Sequence, residues 1–192
     1  MFTGLVQNLG MVVELHEVNS NLELLIHSTL PAECFAQGSS IAVDGVCLTV
    51  ERYFPELQHF LVTAVEETLN KSTLKNFKAR QRVNLETPLT LNTPLGGHLV
   101  SGHVDGVGKI VKAGVDFVIQ VPKELLKFFA VKGSIVVNGV SLTIADQIKD
   151  TVRIALIPET LSETNLGLLK KGDKLNLEVD LIARYVERLL KA

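Results

Sequence analysis

The chain has 192 residues, 46% of them hydrophobic and 21% charged, with a formal net charge of −2. That composition excludes a disordered protein, and the charge balance offers no basic surface for nucleic acid or an anionic membrane. No apolar run approaches the ~20 residues that span a bilayer, and the two cysteines, Cys34 and Cys47, make no disulfide framework, which fits a reduced, cytoplasmic setting.

The chain starts Met1-Phe2-Thr3-Gly4-Leu5, without the basic segment or apolar core of a secretory signal. Residues 22–26, 40–50, 60–65 and 81–86 are short, rich in Val, Ile and Leu, and bounded by Gly or polar clusters, so they read as strands. Within the second of these, Asp44-Gly45 is a tight-turn signal, because both residues tolerate positive φ. Residues 33–36 and 123–129 read as short helices, each with a proline near its start. The Pro/Thr-rich stretch 87–94 suits an extended connection. In the second half Asn138-Gly139 repeats the turn signal. Residues 181–190 place Ile182, Val186, Leu189 and Leu190 on one face of a helix.

The chain repeats itself. Residues 39–50 (SSIAVDGVCLTV) and 133–144 (GSIVVNGVSLTI) are identical at seven of twelve positions, offset by 94. Residues 67–86 and 159–178 agree at eight of twenty, offset by 92, and Thr3-Gly4 pairs more weakly with Ser101-Gly102, offset by 98. Two collinear matches at nearly one spacing indicate two homologous domains, 1–97 and 98–192. Many short strands in each half suggest a closed small barrel. The expected fold class is therefore all-β: two tandem barrels and a C-terminal helix that must bury its apolar stripe on its own domain or on a partner chain.

Generic motifs fail. Gly108-Lys109 lacks the remaining residues of a phosphate loop, and Gly106-x-Gly108 lacks the third glycine of a dinucleotide fingerprint. His98, His103 and Cys47 have no zinc-site spacing, so no metal is expected. His98 and His103 stand an odd number of residues apart, so on one regular strand at most one would enter a given site.

What remains is MFTG at 1–4, GVCLTV at 45–50, GGHLVSGHVDG at 96–106, GVSLT at 139–143, LIPETL at 156–161 and NLEVDLIARYVERLL at 176–190. Together these resemble the riboflavin synthase family (α-chain type) from Met1 to Leu190. The resemblance implies two six-stranded antiparallel Greek-key barrels, each binding lumazine, and a C-terminal helix in a homotrimer. It implies a transferase of riboflavin biosynthesis that needs no cofactor. Two molecules of 6,7-dimethyl-8-ribityllumazine would give riboflavin and 5-amino-6-(D-ribitylamino)uracil. Association with lumazine synthase is a further partner that the resemblance raises. The rival reading is a non-catalytic lumazine- or flavin-binding protein of the same fold.

A reaction between two copies of one substrate suits two copies of one domain, which should differ where the chemistry happens. Cys47 aligns with Ser141, Leu5 with His103, Phe2 with Val100 and Pro88 with Asp180. The resemblance assigns catalysis to Cys47, His103, Ser141, Thr143, Asp180, Phe2 and Ser40. It assigns substrate contacts to Gly4, Leu5, Val6, Cys47, Leu48, Thr49 and residues 63–68 (Thr63, Ala64, Val65, Glu66, Glu67, Thr68). In the second half the contacts are Gly102, His103, Val104, Lys132, Ser141, Leu142, Thr143, Ile157, Pro158, Glu159 and Thr160. Taken alone, several of these residues have plainer readings: Cys47 as a core thiol, Asp180 as a helix N-cap, Lys132 as an exposed turn charge.

Overall fold

A computed structural model describes residues 1–191. It contains two closed barrels of six antiparallel strands. The first comprises β1 (Asn8–Val18), β2 (Asn21–His27), β3 (Ser40–Val43), β4 (Val46–Phe54), β5 (His59–Ala64) and β6 (Arg82–Glu86), with α1 (Glu66–Lys71) before β6. The second comprises β7 (Gly106–Lys112), β8 (Asp116–Gln120), β9 (Ser134–Val137), β10 (Val140–Ile148), β11 (Thr151–Ala155) and β12 (Lys174–Val179), with α2 (Pro158–Glu163) before β12. The helix α3 (Leu181–Leu190) follows. Around the first barrel the order is β1-β2-β5-β4-β3-β6. There β3, β4 and β5 form a meander and β6 returns beside β3, which is a Greek key. The second barrel repeats the order strand for strand.

The expected strands are present, and the 40–50 segment is a hairpin folded at Asp44-Gly45. β1 is the strand the sequence conceals. Its register slips between Val12 and Glu14, so apolar residues stop alternating and the period-two signal breaks. The two proline-led segments are 3-10 turns, Ala32–Phe35 and Lys123–Phe128. α3 has the expected bounds, capped by Asp180, whose carboxylate accepts the Ile182 N–H at 2.9 Å. Each barrel fills its interior with its own cluster of aliphatic and aromatic side chains. Among the described residues no helix is long and apolar enough to cross a membrane.

The barrels meet along a pseudo-twofold axis. The β3–β4 and β9–β10 turns face each other so closely that a Cβ on Gly45 would lie 2.7 Å from the Gly139 nitrogen. Buried amides then lace the halves reciprocally. Asn84 Nδ2 donates to the Asn138 carbonyl and Asn176 Nδ2 to the Asp44 carbonyl, each at 2.8 Å. The Thr73 N–H donates to Asn176 Oδ1 and the Asn165 N–H to Asn84 Oδ1, each at 2.7 Å. Such buried polar groups stabilise only when every member is satisfied.

Asp44 breaks the symmetry, because its counterpart is Asn138. Its Oδ1 accepts from the Asn84 N–H at 2.7 Å and Asn165 Nδ2 at 2.9 Å. Burial outweighs these bonds and pushes its carboxyl up from 3.8 to about 7. The folded chain therefore keeps a proton that the unfolded chain loses above its ordinary value. This group's contribution to stability is complete at low pH and is lost as pH rises toward about 7. Asp44→Asn keeps the amide oxygen and removes the titration. The variant is expected to gain more thermal stability over wild type at pH 8 than at pH 5; an equal gain at both pH values would show that Asp44 does not titrate in this window.

Candidate active site

On β4, Val46, Leu48 and Val50 point into the barrel, while Cys47 and Thr49 face outward. β10 repeats this with Ser141 and Thr143 on its outer face. Cross-strand pairing sets Ser40 beside Thr49, and Ser134 beside Thr143. Two straps of irregular backbone finish these outer faces.

The straps exchange between the halves. Residues 2–5 are anchored on the first barrel by Glu86, whose carboxylate accepts the Thr3 N–H and hydroxyl at 2.6 Å and the Gly4 N–H at 3.1 Å. The Gly4 carbonyl then reaches the second barrel and accepts the Ser141 N–H at 2.7 Å. Residues 100–104 do the converse. Glu178 of the second barrel accepts the Ser101 N–H at 2.7 Å, its hydroxyl at 2.6 Å and the Gly102 N–H at 3.0 Å. The Gly102 carbonyl accepts the Cys47 N–H of the first barrel at 2.8 Å. The straps cross through a reciprocal Phe2–Val100 bridge. Phe2 is fully buried there with Ala42, Val100 and Val136, against Cys47, so its side chain positions the straps. Burial pushes both anchoring carboxyls above the ordinary range, although the strap hydrogen bonds pull the other way.

On the first barrel this builds a cavity of about 350 Å³ lined by Cys47, Glu67, Thr68, Lys71, Ser72 and strap residues 102–105. Cys47, Glu67 and Thr68 of the first half are thus brought together with Gly102, His103 and Val104 of the second, although the sequence reading divides them between the halves. Thr49, Ser40 and Thr63 are not among its lining residues. Leu48 and Ala64 are core, and Val65 and Glu66 are exposed where α1 begins.

On the second barrel, the strap reaches Ser141 in the same way through the Gly4 carbonyl, and Val6 packs on that barrel's core, as Val104 packs on the first. Leu142 packs against the core, Thr143 is exposed, and Ile157, Pro158, Glu159 and Thr160 open α2 as residues 65–68 open α1. Lys132 lies on the turn before β9 at φ +73°, where the first half has Gly38 at +85°, and both N–H groups close the same bond at 2.8 Å. A lysine in a left-handed position that its repeat fills with glycine is a local strain of the kind that clusters at functional sites.

His98 stands outside the site residues that the family resemblance assigns. Its Nδ1 lies 2.7 Å from Ser141 Oγ. Burial pushes its pKa down and nearby Asp180 partly restores it, so the ring is neutral at neutral pH. The two histidines lie at different outer faces, His98 at Ser141 and His103 at Cys47. The cause is the bent strap between them, which turns at Gly102 with φ +80°. Glu86 and Glu178 had a usable signal: each is the carboxylate of a repeated Asn-Leu-Glu, at residues 84–86 and 176–178. Asp105, which accepts from the Val179 N–H at 2.8 Å and from Arg184 at 2.9 Å, ties the second strap to α3.

Two barrels, each completing an outer-face cradle with a strap from the other half, define a tandem lumazine-binding protein. The lumazine binding domain family matches the chain twice, over residues 3–88 and 101–180. The chain belongs to the riboflavin synthase family. The riboflavin synthase of Mycobacterium tuberculosis (strain ATCC 25618 / H37Rv) is 40% identical over 201 residues, covering 100% of this chain and 99% of that one. That of Bacillus subtilis (strain 168) is 37% identical over 195 residues, covering 99% and 90%. The crystal structure of LumP complexed with riboflavin superposes with a TM-score of 0.83 at 27% identity, covering 93% of this chain and 99% of that one.

The strap contact can be tested by volume. A Cβ on Gly102 would lie 2.6 Å from Cys47 Cβ, while one on Gly114, also at positive φ, meets nothing within 4 Å. Gly114→Ala is expected to lose about 1 kcal/mol from backbone strain. Gly102→Ala should lose about 2–3 kcal/mol and raise the hydrogen exchange of the second strap. Equal losses in thermal or urea unfolding would mean the strap does not press on Cys47.

Proposed function

We propose that the chain converts two molecules of 6,7-dimethyl-8-ribityllumazine into riboflavin and 5-amino-6-(D-ribitylamino)uracil, one substrate molecule on each barrel. The observation that carries this reading is a doubled cradle with unlike groups at the reacting position: Cys47 facing strap residue His103, and Ser141 hydrogen-bonded to His98. Like cradles bind like rings, and the unlike groups give donor and acceptor different treatment. The division of the sequence near residue 97 then separates two repeats but not two sites, because each strap crosses it.

The lumazine ring supplies the electron sink that a cofactor would otherwise provide, since the anion left by its C7 methyl spreads into the ring. The protein holds two rings in register and moves protons. Ser141 Oγ adds reversibly to the acceptor ring, giving its proton to the neutral Nδ1 of His98, and Asp180 stabilises the imidazolium that forms. On the other side His103 and Cys47 face the donor. Thr143 orients the ring on the second barrel through its hydroxyl, Phe2 fixes the straps that cover the rings, and Lys132 approaches the ligand from its turn.

The chain works in the cytoplasm as a homotrimer. α3 leaves Ile182 at 69%, Val186 at 48% and Leu189 at 75% exposure, an apolar stripe with no cover on its own barrel. In the trimer the reacting pair forms between the first barrel of one subunit and the second barrel of its neighbour.

Purified protein incubated with 6,7-dimethyl-8-ribityllumazine should develop riboflavin absorbance; binding without turnover would leave only a carrier. Ser141→Ala should lower kcat by about 100-fold and Cys47→Ala by about tenfold or more, with little change in melting temperature. Wild-type turnover in Cys47→Ala would make that thiol a packing group. Truncation after Asp180, or Leu189→Asp with Arg184 retained, should give monomers of weak activity in analytical ultracentrifugation, and a trimer surviving both changes would exclude α3 from assembly.

A further inference from the structure

Away from the Cys47 cavity, the barrels bound a second and larger cleft of about 880 Å³. Its floor is the buried polar seam of Asp44, Asn138 and Asn165, with Phe77, Leu168 and Leu169 adding apolar surface. Its walls are the two copies of one segment, 73–82 and 165–174, related by the offset of 92. The copies differ in charge. The first wall carries Lys75, Lys78, Arg80 and Arg82; at the matching positions the second has Gly167, Lys170, Gly172 and Lys174, of which Lys174 alone supplies a cation to the cleft.

Among the described residues none of these five lining cations forms an ion pair, although the chain as a whole is slightly acidic. The lining holds two carboxyl groups. Asp44 is buried in the seam, and Asp173 is engaged by the Lys170 N–H at 2.7 Å. Cations concentrated on a concave, low-dielectric wall focus a field that attracts an anion.

Arg80 adds a second, independent sign. It sits at φ +68°, and its N–H donates to the Val12 carbonyl at 2.8 Å. Its counterpart Gly172 closes the same bond, to Ile110 at 2.8 Å, with φ +98°. A Cβ on Gly172 would meet nothing within 4 Å, so space does not choose the residue; conformation alone favours glycine. The first half keeps an arginine in the left-handed region, where a side chain costs about 1 kcal/mol or more. Its counterpart shows that the turn can be made without that cost.

We propose that this cleft binds a phosphorylated small molecule of nucleotide size. Arg80 grips the phosphate as a fork, Lys75, Lys78 and Arg82 neutralise it, and the body of the ligand lies over Phe77. The volume is that of a small-molecule site, and a phosphate is the group that an arginine fork flanked by lysines fits best. The site lies apart from both strap-covered cradles and does not depend on the turnover reaction.

Isothermal titration of the full chain with ADP, pyrophosphate, inorganic phosphate and adenosine in physiological salt tests this. ADP and pyrophosphate should bind saturably, tighter than about 1 mM, inorganic phosphate more weakly, and adenosine not at all. Arg80→Gly should weaken ADP at least about tenfold, the value of one charge-assisted contact. It relieves the backbone conformation, so its melting temperature should not fall, and its lumazine turnover should equal wild type. Lys78→Ala with Arg82→Ala should weaken ADP without touching the strained turn. The proposal is overturned if ADP shows no saturable binding, if binding is unchanged in both variants, or if adenosine binds as well as ADP.

Discussion

Two buried carboxylates hold the molecule's function in place. Glu86 and Glu178 each lie near the end of a barrel strand and each accept three hydrogen bonds from a strap that has no regular structure of its own. A carboxylate withdrawn from water is costly unless its lone pairs are filled. The straps fill them, and so must lie along one path. That path carries Gly4 to Ser141 and Gly102 to Cys47, and it fixes how closely a ligand's cover sits over the outer strand faces.

The inter-barrel seam has a complementary role. The Asn84 and Asn176 side chains satisfy carbonyls of the opposite half, and the facing glycine turns allow backbone to approach backbone. Together they set the relative placement of the barrels, and each strap can reach across only because that placement is fixed. The asymmetry of the two sites rests on this symmetric frame. The backbone bonds at Cys47 and Ser141 match, so the differences between the sites come from the side chains placed on them. One barrel presents a thiol beside His103, the other a hydroxyl held by a desolvated imidazole.

Much of this was readable from the chain. The repeat, the paired turns at Asp44-Gly45 and Asn138-Gly139, the bounds of α3 and the divergence of Cys47 from Ser141 are local signals, carried by spacing and turn chemistry. β1 was hidden because its bulge breaks alternation. The exchange of straps was hidden for a different reason: Thr3 and Glu86 stand 83 residues apart, and nothing in either segment says which barrel the strap will cover. His98 and His103 do lie at different outer faces, but the bend at Gly102, and not the alternation of a regular strand, separates them. The amides of the seam sit in strands where a polar residue usually means a solvent face, and only the packing of one barrel on the other makes them interior.

The crossing of the straps also bears on how such a chain could arise. A chain with one repeat would leave its own cradle uncovered and its strap without a surface to cover. It would close only by trading straps with a second copy of itself, at a rate set by how often copies meet. Joining the copies through residues 87–99 makes that trade intramolecular, with the partner held at a fixed and high local concentration. Two identical partners must keep identical cradles, since every change appears twice. Once joined, the halves can mutate singly, and a symmetric binder of two rings can become a catalyst that treats them differently.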